Sequence, residues 1–353
     1  MIRDVYMGDI VMEQDTVTRQ IETVIPPEFR GCITVREEGN IVYQKAMGYA
    51  DFPNLIPNTV ETKFATASAG KVFVAVGILK LIETGKLSLN STIGDILPLD
   101  WHAIDTKITI LQLLNHTSGI PDYFDESVME EYEELWIDYP NYKIRSNKDL
   151  LPLFIVKPMM YPRGERFQYN NSGYVVLGLI MEQITGMEFD AYLKETIFIP
   201  CDMSNTGYYE LDRLPAKCAN TYIFDEVRNE YYTNIYSVDV KGTGAGGAYT
   251  TVLDIEKFWD NLLFGTLLSK ESLNQMLNVQ SVNGRSKYGF GIWLKELSDG
   301  SMLPFFQGDD PGVCLDSCYH REKNVLVTIV SNYHDDVWNI KWNILRDVFG
   351  INP

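Results

Sequence analysis

The sequence predicts an α+β fold, because strand-like alternation gathers toward both ends of the chain while apolar runs with helical spacing fill its middle. A partial helical stripe comes first, over residues 9–25, with Ile10, Val17, Ile21 and Val24 on one side. Ile33 and Val35, the turn Glu37-Glu38-Gly39-Asn40, and Ile41-Val42-Tyr43 then read as a β-hairpin. From Val72 to Ile82 nearly every residue is apolar, the pattern of a helix buried on all sides, and Gly85 supplies its stop. Thr109 and Gln112 form a capping-box pattern ahead of Leu113-Leu114, with Gly119 as the expected end of that helix. Ser172–Thr185, stopped by Gly186, and Thr251–Phe264 read as two further helices. Strands return at Tyr288–Leu294 and Met302–Phe306. A second hairpin follows, built from Cys314–Tyr319, a charged turn around Glu322-Lys323-Asn324, and Val325–Val330. Trp338, Trp342, Leu345 and Phe349 give a final helix one broad apolar face.

At 353 residues and 45% apolar content the chain can bury a large core, as one large domain or two intimately packed ones. Its charge balance of 30 basic against 48 acidic residues, a net −18, offers no basic stripe for phosphate. Nucleic acid and anionic membranes are therefore excluded as partners, and a small-molecule substrate with a monomeric protein is the expectation. No segment approaches the roughly 18 uninterrupted apolar residues of a membrane span. The opening residues lack an apolar run after Arg3, unlike a secretory leader. Cys32, Cys201, Cys218, Cys314 and Cys318 are an odd, scattered set without Cys-x-x-Cys spacing, which fits reduced thiols and a cytoplasmic setting. An exported form with its leader removed would read the same way. The acid-rich, aromatic stretch Asp122–Tyr142 reads as a solvated segment in preference to a lid over a substrate.

The chemistry concentrates at Ser68 and Lys71, three residues apart at the mouth of the apolar helix and so on one side of it. A lysine there loses hydration, and its pKa falls from about 10.4 toward the range where a neutral amine accepts a proton. Further on, Tyr161-Pro162-Arg163-Gly164-Glu165 delivers Tyr169 and Asn171 to the start of the next buried helix. A phenol held between an ammonium and a hydroxyl is expected to ionise more easily, and the Asn171 amide offers a donor and an acceptor to a substrate amide. Each pair also has a bland reading, as an N-cap beside a snorkelling lysine and as turn chemistry. His102, His116, His320 and His334 show no His-x-x-x-His spacing, so no metal and no cofactor is expected, and His116 reads as structural. No serine stands in a Gly-x-Ser-x-Gly elbow, which removes the α/β-hydrolases.

In combination these segments are specific. Ser68-x-x-Lys71, Leu114-Asn115-His116-Thr117-Ser118-Gly119, Pro162-x-Gly164 with Tyr169-x-Asn171, Gly244-Ala245-Gly246-Gly247, Tyr288-Gly289-Phe290-Gly291-Ile292-Trp293 and Pro311-Gly312 occur in this order. That order resembles the serine beta-lactamase superfamily, in particular its class C branch with D-alanyl-D-alanine carboxypeptidases, D-amino-acid peptidases and esterases. The resemblance covers about residues 25–335. It implies an antiparallel sheet drawn from both chain ends and flanked by helices (residues 1–80 and 255–353), beside a mainly helical domain (81–254), with the site between. It further implies Ser68 as nucleophile, Lys71 as proton acceptor, Tyr169 as relay to the leaving group and Asn171 as a substrate-positioning residue. The family's third motif, Lys or His followed by x-Gly, falls on Phe306-Gln307-Gly308, where the cation is missing. By position Phe306, Gly308 and Asp309 would still border the substrate, with the backbone N–H groups of Ser68 and Asp309 as oxyanion hole.

The function expected is a serine hydrolase acting through an acyl-enzyme on a small ester or amide. A true beta-lactamase or D-Ala-D-Ala carboxypeptidase is the alternative, and a non-catalytic penicillin-recognising module the second. Without a cation at Phe306, carboxylate-bearing substrates should be disfavoured, and Asp309 or Asp310 could hold a free amine. Lys287 or Lys241 could instead replace the missing cation.

Overall fold

The computed structural model describes residues 16–353; Ile10, in the expected first helical stripe, lies outside them. Eight antiparallel strands form one sheet, in the order Asn40–Met47, Gly31–Glu37, Val325–Ser331, Val313–His320, Met302–Asp310, Trp293–Glu296, Ser286–Tyr288 and Ser281–Asn283. The two ends of the chain meet where Cys32 stands opposite Val330 and Val35 opposite Val327. Alternation then sorts side chains to two faces. Cys32, Phe306, Leu315, Tyr319 and Val330 join the core shared with the helices Lys71–Glu83 and Val252–Leu263. Ile33, Val35, Cys314, Cys318 and Ile329 face the other way, under a helix at residues 16–24 and the helix Val337–Asn343.

Polar pairs lock both layers. On the inner face the Thr34 hydroxyl donates to Glu256 (2.5 Å) and Arg36 pairs with Asp260, both acceptors lying on the Val252–Leu263 helix. On the outer face Lys341 meets Asp316 at 2.5 Å with neither exposed by more than 2%. Burial of an unpaired charge would be prohibitive, so this pair also fixes how the terminal helix sits.

The helices lie close to their expected places. Lys71–Glu83 is buried through Leu79, Asn171–Thr185 ends on Gly186 at φ +69°, and Val252–Leu263 is capped by Thr251. Four local expectations differ. The capping box at Thr109 and Gln112 is present, but its helix ends at Leu114; Gly119 instead turns the chain beside the Tyr161 carbonyl, which a β-carbon there would approach to 2.2 Å. Tyr288–Leu294 is not one strand, because the chain turns between Gly289 N–H and Ile292 C=O (2.9 Å) so that Gly291, at φ +68°, can rest on the Lys71 helix. The strand from Met302 runs on to Asp310. The last helix widens to a π-type turn over Ile344–Val348. Among the described residues no helix is long and apolar enough to cross a membrane.

Candidate active site

The short strand Phe64–Ala65, paired with Tyr249–Thr250, leads into a single 3₁₀ turn over Ala67–Gly70, and Lys71 opens the α-helix that follows. Ser68 therefore stands in a strained turn before the helix, since Ala67 adopts φ +46°, where a β-carbon is unfavourable. The turn is held from outside. The Ala67 carbonyl accepts the Gly247 N–H at 2.9 Å, and a β-carbon at Gly246 would lie 2.3 Å from that same oxygen, so only glycine allows the approach.

Lys71 is 1% exposed. Its Nζ lies 2.9 Å from Ser68 Oγ, 2.8 Å from Asn171 Oδ1 and 2.5 Å from the Ala245 carbonyl. Two of these partners can only accept. A neutral amine has two N–H donors for them and one lone pair left, which points to the serine hydroxyl. Burial lowers the Lys71 pKa to about 8, while the charges of Glu126, Asp122, Asp310 and Asp239 oppose the shift.

Asn171 begins the helix behind this group. Asn170 caps it by accepting from Gly173 N–H (2.7 Å), and Asp122 accepts the N–H groups of Asn171 (2.8 Å) and Ser172 (3.0 Å). Burial raises the Asp122 pKa to about 7 against these bonds. Asn171 Nδ2 donates to the Phe124 carbonyl at 3.3 Å, so both ends of its amide are engaged within the protein. The acids of Asp122–Tyr142 are largely solvated, as expected, with Glu126, Glu130, Glu131 and Glu133 exposed along the cleft, while Asp122, Tyr123, Phe124 and Trp136 are buried beneath them.

Tyr169 packs against His116 (ring centroids 4.5 Å) and stacks on Trp293 (5.8 Å). Its phenol pKa is raised well above the usual value by burial and by the Glu126 charge, more than a hydrogen bond with Ser68 offsets. Easier ionisation, expected from the sequence, is thus overturned by desolvation, and the phenol stays protonated. His116 accepts the Asn170 N–H at 3.1 Å and burial keeps it neutral, in line with the structural reading.

On the strand Met302–Asp310 alternation decides which side chains reach the site. Phe306 does not: it is 3% exposed and stacks on Trp259 at 5.2 Å in the core, so its expected place beside the substrate is corrected. Gly308 lies directly over the Ser68 turn, where a β-carbon would stand 2.1 Å from the Thr66 carbonyl and 2.8 Å from Ser68 N. This approach brings the backbone of Asp309 and Ser68 together. Gly308→Ala should therefore push the strand off the turn and lower kcat/KM at least about 100-fold, as ångström misplacements do, with the fold retained by circular dichroism. Activity near wild type would show that the strand has no part in catalysis.

The side chain of Asp309 is taken by His334, at 2.7 Å, and this contact raises the His334 pKa. Asp310 points into a cleft of about 980 Å³ that contains Ser68, Tyr169, Asn171 and Trp293. Six further carboxylates line it: Glu126, Glu130, Glu131, Glu133, Asp239 and Asp309. His334 is the lone basic side chain on the described lining. Lys241 and Lys287 are elsewhere, paired with Asp190 at 2.8 Å and Glu296 at 2.5 Å. Sequence reasoning missed Ala245, Asp122, Asp239 and His334 as parts of the site. The glycine run around Ala245 was a usable signal; the other three carry none in their local pattern.

The sequence model of the family described as Beta-lactamase matches residues 29–338. This chain belongs to the beta-lactamase family, as its sheet and its Ser68–Lys71 turn together lead one to expect. It is 28% identical over 326 residues to Penicillin-binding protein 4* of Bacillus subtilis, covering 88% of this chain and 69% of that protein. A solved penicillin-binding protein from Bacillus halodurans is 35% identical, with a TM-score of 0.85 over 93% of this chain and 98% of that one. An octameric penicillin-binding protein homologue from Pyrococcus abyssi shares the fold at 24% identity, with a TM-score of 0.78 over 97% of this chain and 78% of that one.

Proposed function

We propose that the chain is a serine hydrolase that works through an acyl-enzyme on small esters or amides. The observation that carries this is Lys71: 1% exposed, 2.9 Å from Ser68 Oγ, with a pKa lowered to about 8 by burial. In its neutral form Lys71 takes the Ser68 proton as Oγ attacks the substrate carbonyl carbon. The developing oxyanion accepts from the backbone N–H groups of Ser68 and Asp309. As the tetrahedral species collapses, the proton passes through the Tyr169 phenol to the leaving group, leaving an ester at Ser68. Water attacks that ester, delivers its proton by the same route, and the acid departs with Ser68 restored. Asn171 holds Lys71 in line throughout.

The cleft supports neutral or amine-bearing substrates over carboxylates, because its lining carries seven acids against one histidine and Phe306 supplies no cation. A charge-assisted pair of that kind contributes about 1.5–3 kcal/mol. One observation favours a second reading, as beta-lactamase or D,D-carboxypeptidase: His334 borders the cleft with its side chain 50% exposed and could meet a carboxylate, as the penicillin-binding relatives' names suggest. Labelling with a fluorophosphonate, followed by kcat/KM for a cephalosporin, a D-Ala-D-Ala peptide and a short acyl ester, separates these. Rapid labelling with the ester ahead supports the hydrolase proposed. A carboxylate substrate ahead by more than about tenfold, or 1.4 kcal/mol, favours the second reading, and absence of labelling leaves the binding module. A monomeric working unit is part of this proposal, and sedimentation equilibrium tests it: a larger species overturns it.

A further inference from the structure

The strand Val325–Ser331 ends in a turn whose residues are anchored on both sides of His334. Ser331 Oγ accepts the N–H groups of Tyr333 and Asp335, both at 3.1 Å. Asn332 Nδ2 donates to the Tyr49 and Asn220 carbonyls at 3.0 and 2.8 Å, and the Tyr333 hydroxyl donates to the Tyr49 carbonyl at 3.1 Å. Arg30 clamps Asp335 at 2.6 Å. Between these anchors His334 adopts φ +61°, a left-handed conformation uncommon for a residue with a β-carbon, and it is exposed, so its own burial does not explain the conformation. What the turn achieves is one contact, from His334 Nε2 to Asp309 Oδ1 at 2.7 Å.

An ion pair half in water contributes little to stability. Its place gives it a different consequence. The Asp309 backbone N–H is one of the two donors to the oxyanion, and covalent geometry keeps an aspartate's carboxyl carbon within about 4 Å of its own amide nitrogen. A carboxylate so close opposes the negative charge that develops on the substrate oxygen. Glu126 and Asp310, whose charges also couple to Asp309, add to the opposition. No lysine or arginine stands on the described lining to offset it.

We propose that His334 is a positioning residue for the reaction: as an imidazolium it neutralises Asp309 and keeps the oxyanion hole favourable to negative charge. The inference rests on the hydrolase reading above, and His334 acts through Asp309. The bond to Asp309, opposed by burial, raises the His334 pKa; the charges acting on the ring are Asp309, from the strand, and Asp335, from its own turn. The imidazolium is therefore present below that raised pKa and is lost as the pH climbs through it. The neutral ring can still donate to Asp309 but no longer cancels its charge.

The test measures kcat/KM of the wild type and of His334→Gln on a short acyl ester at pH 6 and pH 9. Lys71 titrates in both proteins and cancels from their ratio. The wild type should lead by about tenfold at pH 6, with the difference in kcat and not in KM, and by less than about twofold at pH 9. Removing the opposing charge as well, in the double variant His334→Gln/Asp309→Asn, should recover at least about fivefold at pH 6. In the wild type alone, the rise of kcat/KM toward pH 8 should flatten across the His334 titration, which proton NMR can follow because the chain has only four histidines. A ratio equal at both pH values, or a folded double variant no better than His334→Gln, with Ser68 still labelled by a fluorophosphonate, overturns the role of His334 alone. Should a variant not fold, the wild-type profile decides, and a rise without that flattening overturns the role. If Ser68 is not labelled, the hydrolase reading falls and the role of His334 falls with it.

Discussion

Ser68→Ala abolishes turnover, with kcat/KM expected to fall by about 10⁴-fold or more while the fold persists. The reason is local. Among the described residues the Ser68 hydroxyl is the one nucleophile bonded to the Lys71 amine, at 2.9 Å, and the turn that presents it is held by the Gly247 N–H and by Gly308 rather than by its own side chain. Removing Oγ therefore leaves the cleft in place and takes away the bond-forming atom. Mass spectrometry after treatment with a fluorophosphonate should place a single adduct on Ser68 in the wild type and none in the variant. An adduct on another residue, or a variant that retains a hundredth of the activity, sinks the assignment.

The second large effect joins Lys71 and Tyr169. Lys71→Ala and Tyr169→Phe are each expected to cost about 10²–10⁴-fold in kcat/KM, the range for a lost general base or acid. The double variant should be little worse than the poorer single one, because residues that pass one proton do not contribute separately. Simply additive losses would contradict the shared role. The pH dependence follows from the same group. Lys71 accepts a proton only when neutral, and its pKa is lowered to about 8, so kcat/KM should rise with pH through about 8. The Glu126 charge raises that pKa, and Glu126→Gln should therefore move the acid limb to lower pH. A limb that stays in place would mean another group controls it. Tyr169, held protonated by burial, should contribute no loss of activity until well above the ordinary tyrosine range.

Much of this was legible in the chain because its signals are local. Gly186 at a left-handed φ, the Thr109–Gln112 box and Thr251 as a cap act within one helical turn, and each marks the end of a helix where the sequence places it, although the helix begun at Thr109 stops at Leu114, short of Gly119. Misreadings arose where a neighbour distant in sequence decides conformation. The Tyr288–Leu294 run has strand-like residues throughout, yet Gly291 must rest on the Lys71 helix and the chain turns to reach it. The acidic segment keeps most of its glutamates in solvent as its composition suggests, and the one departure is Asp122, drawn inside by the two backbone N–H groups that open the Asn171 helix.

By itself the sequence determined that this is an α+β chain with strands from both ends, that a serine and an amine share one side of a buried helix start, and that the third motif has lost its cation. The first two follow from periodicity, capping and residue chemistry, which act over a few positions, and the third from the resemblance to the beta-lactamase family. The tertiary structure alone decided that Phe306 lies in the core while Asp310 faces the cleft, that His334 occupies Asp309, and that Ala245, from 174 residues away, completes the Lys71 site. Tyr169 shows the difference most plainly. Its neighbours along the chain suggest a phenol that gives up its proton, and burial among His116, Trp293 and the cleft's acids makes it keep that proton, because desolvation and long-range charge depend on what the fold brings near and not on what the chain places adjacent.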